Sequence, residues 1–135
     1  MSEGRLGLEW MPGTFAVCRL GADEAVPGWA VADGSSGASG LVSITRTDRE
    51  LSIVVGEDRV PADARAERGW VALRVSGTLD FGLVGVLSRL TGALADAGVS
   101  VFAVSTFDTD ILLVKAKDKG RAVEGLRSVA DCSLL

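Results

Sequence analysis

The chain of 135 residues contains no histidine, no tyrosine and only two cysteines. Histidine is the commonest general base, and its absence removes the Ser-His and Cys-His pairs on which many enzymes depend. Two cysteines without histidine also exclude a zinc site of the usual nitrogen and sulfur type. From these absences we predict a protein that is not an enzyme and that holds no metal and no cofactor.

The two cysteines, Cys18 and Cys132, lie far apart in the sequence, each in an apolar setting. A cytoplasmic chain is kept reduced, and a free cysteine packs as a small apolar residue. We therefore predict two buried free thiols. A disulfide or a redox role is the alternative.

The chain also lacks a cluster of basic residues and a long apolar run. Its formal net charge is −4, whereas a nucleic-acid-binding surface needs concentrated Lys and Arg to displace counterions from phosphates. No apolar run approaches the roughly 18 residues that cross a bilayer. The first residues, MSEGRLGLEW, lack the apolar core of a signal peptide. We therefore expect no nucleic-acid partner, no membrane segment and a cytoplasmic location.

What is present is the composition of a globular protein, with 47% hydrophobic and 24% charged residues. This length suits one domain or two half-size units and is enough to bury a core. In the first half, apolar runs predict strands at 15–20, 41–45 and 51–55. The Gly-, Ser- and Ala-rich residues 33–40 predict an exposed loop, and residues 59–69 predict a short helix or a connector.

The second half predicts the β-α-β-β-α-β order of ferredoxin-like folds. Its first helix, from about Phe81 to Ala97, carries apolar residues at the i, i+3, i+4 and i+7 spacing of a helix that packs on a sheet. Asp80 is its predicted N-cap, and Gly98 is the predicted residue just beyond its end. The other predicted elements are strands at 70–75, 99–104, 110–114 and 132–135, and a helix at 119–130 capped by Asp118.

A weak internal repeat connects the two halves. Shifted by sixty residues, ITRTDRELSIVV at 44–55 aligns without a gap with VSTFDTDILLVK at 104–115. An apolar strand follows an acidic residue in both segments. We therefore predict an α+β fold of two related subdomains, 1–64 and 65–135, the first with degenerate helices.

Four segments carry a family resemblance: LEWMPGTFAVCRL at 8–20, VSITRTDRELSIV at 42–54, RAERGWVALRVSGTLDFGLVGVL at 65–87 and GVSVFAVSTFDTDILLV at 98–114. They resemble the ACT-domain family, in particular the small tandem-ACT proteins related to the cytosolic arginine sensors called CASTOR. The resemblance implies two ACT units packed side by side as a pseudo-dimer, with an amino-acid site where they meet. The resemblance implies a protein that binds a ligand but catalyses no reaction.

The last of these segments contains STFDTD, which places polar residues between two apolar runs. The resemblance implies that Asp110 binds the α-ammonium group of the ligand and that Thr106 and Phe107 make main-chain contacts. It also implies that Ser43 and Ile44, from the first half, close the site. For Asp110, a structural cap on the hairpin is the alternative.

Asp108 and Thr109 are predicted turn formers, because Asx turns favour aspartate at such positions. An enzymatic alternative would use Asp108 and Asp110 as an acid–base pair, since residues two apart on an extended segment share a face. No histidine, no nucleophile with a neighbouring base and no metal-ligand set accompanies the two carboxylates. We therefore favour binding over catalysis.

The start of the predicted first helix supplies the other part of the site. Backbone N–H groups at a helix N-terminus favour an anion such as an α-carboxylate. Gly82 and Gly85 are poor helix formers, which indicates a close approach of a ligand to the backbone or, for Gly85, close packing of the helix. The predicted ligand-binding residues in this stretch are Asp80, Phe81, Gly82 and Leu83.

Leu83 bears on the class of ligand. The resemblance implies that arginine-binding relatives carry an acid at this position, and a guanidinium buried without a carboxylate is costly. We therefore expect a regulatory or sensor protein for a neutral or apolar amino acid rather than for arginine. The alternative is an interaction module with a decayed ligand site, whose sheet edges and helix faces bind a second copy or an unidentified protein.

Overall fold

The structure of the protein is a computed structural model, and it describes residues 6–31, 40–76 and 85–135. These residues form eight β-strands and two α-helices. The strands are β1 (Leu6–Trp10), β2 (Phe15–Leu20), β3 (Ser43–Arg46), β4 (Leu51–Gly56), β5 (Ala66–Val75), β6 (Phe102–Ser105), β7 (Asp110–Lys115) and β8 (Ala130–Leu134). The helices are α1 (Val86–Asp96) and α2 (Lys119–Leu126). Three short 3₁₀ segments complete the order: Gly28–Ala30, Glu57–Arg59 and Ala116–Asp118.

The chain divides into two compact units. Pro12–Trp70 forms one, here called the inserted unit, and Met1–Met11 together with Val71–Leu135 forms the other, here called the discontinuous unit. The first five residues of strand β5 belong to the inserted unit, and its last five belong to the discontinuous unit. The division into subdomains 1–64 and 65–135 stays a prediction. In the division into compact units, however, the described residues 6–11 belong with the second half of the chain.

Four antiparallel strands form the sheet of the inserted unit, in the order β3-β4-β2-β5. The longest pairing joins β2 and β4, from Phe15 opposite Gly56 to Leu20 opposite Leu51. Within its described residues, this unit has only 3₁₀ turns where a ferredoxin-like fold has helices. Its buried core consists of Ala16, Cys18, Ala30, Leu51, Ile53, Val55 and Val60.

Strand β5 begins at Ala66, inside the segment that the sequence predicted as a short helix or connector. A bulge interrupts its pairing with β2, because Phe15 lies opposite Trp70 whereas Val17 lies opposite Glu67. Gly69 has a φ of +80° within this bulge, a conformation that glycine adopts without strain. The irregular register explains why no simple alternation of apolar residues marks the start of β5.

Five strands form the sheet of the discontinuous unit, in the order β6-β7-β5-β1-β8. The predicted order β-α-β-β-α-β is confirmed by β5, α1, β6, β7, α2 and β8. The sequence-based prediction did not include β1, which lies between β5 and β8, antiparallel to β5 and parallel to β8. Leu8 of β1 is fully buried. The fold is α+β and ferredoxin-like, with one additional strand in this sheet.

The two helices supply the core of the discontinuous unit together with the sheet. The α1 residues Val86, Leu90 and Leu94, each four positions from the next, are buried as the helical spacing predicted. They pack in one buried cluster with Val99, which follows α1, and with residues of the strands and of α2: Leu8, Leu73, Val75, Leu112, Val114, Ala122, Leu126 and Ala130.

The beginning of α1 differs from the prediction. Gly85 has a φ of +80°, in the left-handed region, so a helix cannot pass through it, and α1 starts at Val86 rather than near Phe81. The predicted N-cap Asp80 and the neighbouring predicted residues 81–83 lie outside the described residues. At Gly85 itself, an added Cβ would meet nothing within 4 Å, so close packing does not explain this glycine.

The end of α1 confirms the prediction for Gly98, which follows the helix with a φ of +75°. The Gly98 N–H donates to the Ala95 carbonyl at 3.0 Å, and the Val99 N–H donates to the Leu94 carbonyl at 2.9 Å. These two bonds are those of a Schellman motif. Helix α2 ends at Leu126, four residues earlier than predicted, and β8 begins at Ala130 rather than at residue 132.

In the described parts of the chain, neither helix has the length and the apolar character needed to cross a bilayer.

Candidate functional site

The segment STFDTD forms the hairpin between β6 and β7. The Thr106 N–H donates to the Thr109 carbonyl at 2.8 Å, and the Thr109 N–H donates to the Thr106 hydroxyl at 3.1 Å. The predicted turn is therefore confirmed, with Phe107 and Asp108 at its tip. Phe107 is 81% exposed.

Asp110 is the first residue of β7 and lies directly opposite Ser105, the last residue of β6. The Ser105 hydroxyl donates a hydrogen bond of 2.7 Å to Oδ1 of the Asp110 carboxylate. Alternate residues of a strand share a face, so Asp110 lies on the same face as Leu112 and Val114, which belong to the core shared with both helices. The carboxylate thus lies at the hairpin end of the helix-covered face.

The hairpin is also bonded to the end of β5. The Thr109 hydroxyl donates to the Val75 carbonyl at 2.9 Å. The next residue, Ser76, donates its N–H to the Gly7 carbonyl at 2.8 Å. After Ser76 come the predicted ligand-binding residues Asp80, Phe81, Gly82 and Leu83, which lie outside the described part of the chain.

Helix α1 begins after this stretch. Its N-cap residue is Gly85, whose carbonyl accepts the Arg89 N–H at 2.9 Å. Glycine has no side chain to accept hydrogen bonds from the first-turn N–H groups, which remain for water, other backbone or a ligand. Val86, the first helical residue, is buried in the cluster that contains Val75. A carboxylate at the hairpin and free N–H groups at a helix start are complementary to an amino acid's two charged groups.

Ser43 and Ile44 belong to the inserted unit, on its edge strand β3. They lie opposite Val54 and Ile53 of β4, and the Ile44 side chain is 43% exposed. Their predicted contribution to ligand binding stays a prediction.

Two observations concern the cysteines and metal binding. Cys18 is buried, and burial raises the pKa of its thiol above the ordinary value, although Arg68 acts in the opposite direction. A raised pKa means less thiolate and therefore low reactivity. Cys132 is half-buried and forms no disulfide. Among the described residues, no three Cys, Asp or Glu side chains come together in a group that could hold a metal ion.

The sequence-based reasoning missed two features. One is the bond between Ser105 and Asp110, although both residues flank the predicted turn. The other is a groove of about 440 Å³ between the two helices, where the backbones approach closely at Gly125. The groove is lined by Ser88, Arg89, Gly92, Ala93, Asp96, Ala97, Gly125, Ser128 and Val129.

Comparisons with known proteins agree with this architecture. Residues 65–128 match the family model of the ACT domain, and residues 13–63 match a second model, described as an N-terminal domain. The human protein CASTOR3P is 30% identical over 89 residues, which are 56% of this chain and 55% of that protein. The chain thus spans only about half the length of this human relative.

Two solved structures are similar over nearly the whole chain. A protein of Agrobacterium tumefaciens is 38% identical, with a TM-score of 0.84, over 95% of this chain and 91% of that one. The ligand-free regulatory subunit of aspartate kinase from Thermus thermophilus shares the fold, with a TM-score of 0.64 and 12% identity, over 95% of this chain and 100% of that one. From this match and from the ferredoxin-like order of its strands and helices, we conclude that residues 65–128 form an ACT domain.

Proposed function

We propose that this protein is a regulatory protein without enzymatic activity that binds a free amino acid at the hairpin end of its discontinuous unit. The observation that carries the proposal is the half-buried Asp110 carboxylate, held by the hydroxyl of the exposed Ser105 at the hairpin end of the strand that carries Leu112 and Val114 into the core. A carboxylate suits the ammonium group of the ligand, and the start of α1 suits its carboxylate. The ACT domain at residues 65–128 supports a regulatory, ligand-binding role.

The proposed ligand is a neutral or apolar amino acid. Leu83 stands where the family resemblance places an acid in arginine-binding relatives, and a guanidinium group without a carboxylate partner would be costly to bury. Asp80, Phe81, Gly82 and Leu83 remain proposed contacts, with Thr106 and Phe107 offering carbonyl groups. From the inserted unit, Ser43 and Ile44 remain proposed contacts as well. The free cysteines fit a reducing compartment such as the cytoplasm.

A thermal-shift screen of the twenty amino acids, followed by calorimetry, tests the proposal. We expect stabilisation by one or more neutral amino acids and none by arginine. Asp110→Asn should weaken binding at least tenfold, because it removes the charge that pairs with the ammonium group. Asp108→Asn is the matched control, since it removes the same charge from the exposed tip of the same hairpin. Stabilisation by arginine alone, or equal losses in the two variants, would contradict the proposal.

The second candidate function is an interaction module with a decayed ligand site. Exposed apolar side chains on edge strands favour it: Ile44 on β3 is 43% exposed and Leu134 on β8 is 67% exposed. An open strand edge pairs readily with another chain. If no amino acid binds, while the mass in solution rises with concentration or a protein partner is captured, this function replaces the first.

A further inference from the structure

We propose that Ser105 is a positioning residue for ligand binding: its hydroxyl holds the Asp110 carboxylate in the orientation that receives the ammonium group. The proposal rests on the proposed function above and adds to it a residue that does not itself need to contact the ligand.

The pairing of the two strands brings the two side chains together. Thr106 and Thr109 form a backbone hydrogen bond across the turn, through the Thr106 N–H and the Thr109 carbonyl. In an antiparallel pair, hydrogen-bonded and non-hydrogen-bonded positions alternate, and side chains lie closest at the non-hydrogen-bonded ones. Ser105 and Asp110 occupy the next, non-hydrogen-bonded position. The short serine side chain therefore reaches the carboxylate from directly across the ladder.

The hydrogen bond leaves the other half of the carboxylate available. A serine hydroxyl has one proton, and Ser105 directs it to Oδ1 of Asp110 at 2.7 Å. Oδ2 retains its lone pairs, and an ionised carboxylate has capacity for more than one donor. Fixing one oxygen limits rotation of the carboxylate, so that less side-chain freedom is lost when a ligand binds.

The charge environment of Asp110 differs from that of two other acids in the same unit, Asp118 and Glu9. The carboxylate of Asp118, also at least half buried, pairs with Arg121 at 2.8 Å, and Glu9 pairs with Arg74 at 3.3 Å. In the described part of the chain, no Lys or Arg lies within ion-pair distance of Asp110. A partly buried carboxylate that has a directed hydroxyl donor but no cation beside it is suited to accept a cation from outside the chain.

The test compares an amino acid with the same molecule lacking its amino group. L-Leucine and 4-methylpentanoate are the first pair, and if another amino acid binds better in the screen, that amino acid and its deaminated analogue are used. Calorimetry then measures the ratio of the two affinities in each variant. We expect Ser105→Ala to weaken binding of the amino acid roughly tenfold and to leave binding of the deaminated analogue unchanged.

Two further variants separate positioning from folding. Ser105→Thr keeps a hydroxyl and should therefore show the wild-type ratio of the two affinities. Ser133→Ala, which replaces another exposed serine on a strand, should also leave this ratio unchanged. In Asp110→Asn, an added Ser105→Ala should have no further effect on the ratio, because the two residues act as one unit. If Ser105→Ala lowers thermal stability but leaves the ratio as in the wild type, the bond is a hairpin cap and the proposal is wrong.

The outcomes also distinguish this proposal from the proposed function. If Asp110→Asn abolishes binding of an amino acid and Ser105→Ala does not change it, amino-acid binding stands and the role of Ser105 fails. If the wild-type protein binds none of the twenty amino acids, the proposed function fails, and the role of Ser105 fails with it.

Discussion

The Thr109 hydroxyl donates a hydrogen bond of 2.9 Å to the carbonyl of Val75, the last residue of β5. This bond connects the hairpin that carries Asp110 to the strand end from which the chain continues toward α1. A hairpin tip is otherwise among the most mobile parts of a fold. The threonine therefore keeps the candidate ligand-binding carboxylate in a fixed place relative to the end of β5.

Replacing Thr109 by valine tests this connection. Thr109→Val keeps the shape of the side chain but leaves the Val75 carbonyl without its hydroxyl donor, which should lower the free energy of unfolding by about 1 to 2 kcal/mol. Thr45→Val, at an exposed position of β3, is the control and should change it by less than about 0.5 kcal/mol. Urea denaturation measures both. Equal effects would show that the bond to Val75 contributes little.

Two glycines, Gly85 just before α1 and Gly92 within it, should respond to replacement by alanine in opposite directions. Gly85→Ala places a side chain at a φ of +80° and should destabilise the fold by roughly 1 to 2 kcal/mol. Gly92→Ala lies within α1 with open space around its Cβ and should stabilise it by up to about 1 kcal/mol, because alanine is the better helix former. Thermal unfolding of the two variants checks the difference in sign. Stabilisation by Gly85→Ala would contradict the left-handed start of α1.

The close approach of the two helices predicts a second contrast. A Cβ at Gly125 would lie 2.9 Å from the Cβ of Ala97 and 3.1 Å from the Ala93 carbonyl oxygen, whereas a Cβ at Gly120 would meet nothing within 4 Å. Overpacking costs roughly 1 to 3 kcal/mol. We expect Gly125→Ala to destabilise the fold and Gly120→Ala to be neutral or slightly stabilising, as measured by chemical denaturation. Similar midpoints for both would show that the helices separate without cost.

The two cysteines should differ in reactivity. Cys18 is buried, and this burial raises the pKa of its thiol above the ordinary value, whereas Cys132 is only half-buried and more accessible to a reagent. Alkylation by iodoacetamide, followed by mass spectrometry, should modify Cys132 first and Cys18 only after unfolding. Rapid modification of Cys18 in the folded protein would contradict its burial.

The raised pKa of the Cys18 thiol also predicts how the stability of the protein changes with pH. A thiol whose pKa is higher in the folded than in the unfolded protein favours folding fully below the unfolded pKa, and this contribution is lost as the pH rises through the folded pKa. The wild type should therefore lose stability above about pH 9 more steeply than Cys18→Ala. Parallel losses in the two proteins would show that other groups govern the alkaline limit.

Local patterns predicted much of this fold. The strands β2, β4 and β7 follow from short apolar runs, because a strand buried on both faces needs such a run. The end of α1 follows from Gly98, because a left-handed residue just after a helix favours glycine. The hairpin follows from STFDTD, because polar residues between two strands satisfy the backbone of a turn.

Non-local pairing decided the elements that were missed. Strand β1 has only five residues, and it is stable where it lies because β5 and β8 supply hydrogen-bonding partners on both sides. The start of β5 depends on the bulge at Gly69, and the start of α1 depends on the backbone conformation of Gly85. Neither conformation can be read from apolar periodicity.

The candidate site divides in the same way. The sequence by itself determined that a carboxylate, Asp110, stands at the edge of a hydrophobic strand, and that the chain offers no histidine for catalysis. Only the tertiary structure decided what surrounds that carboxylate. The register of β6 against β7 places the Ser105 hydroxyl on it, and the bond from Thr109 to Val75 fixes its hairpin to the strand that leads to α1. Such relations depend on which residues meet across strands, and a one-residue change of register would remove them.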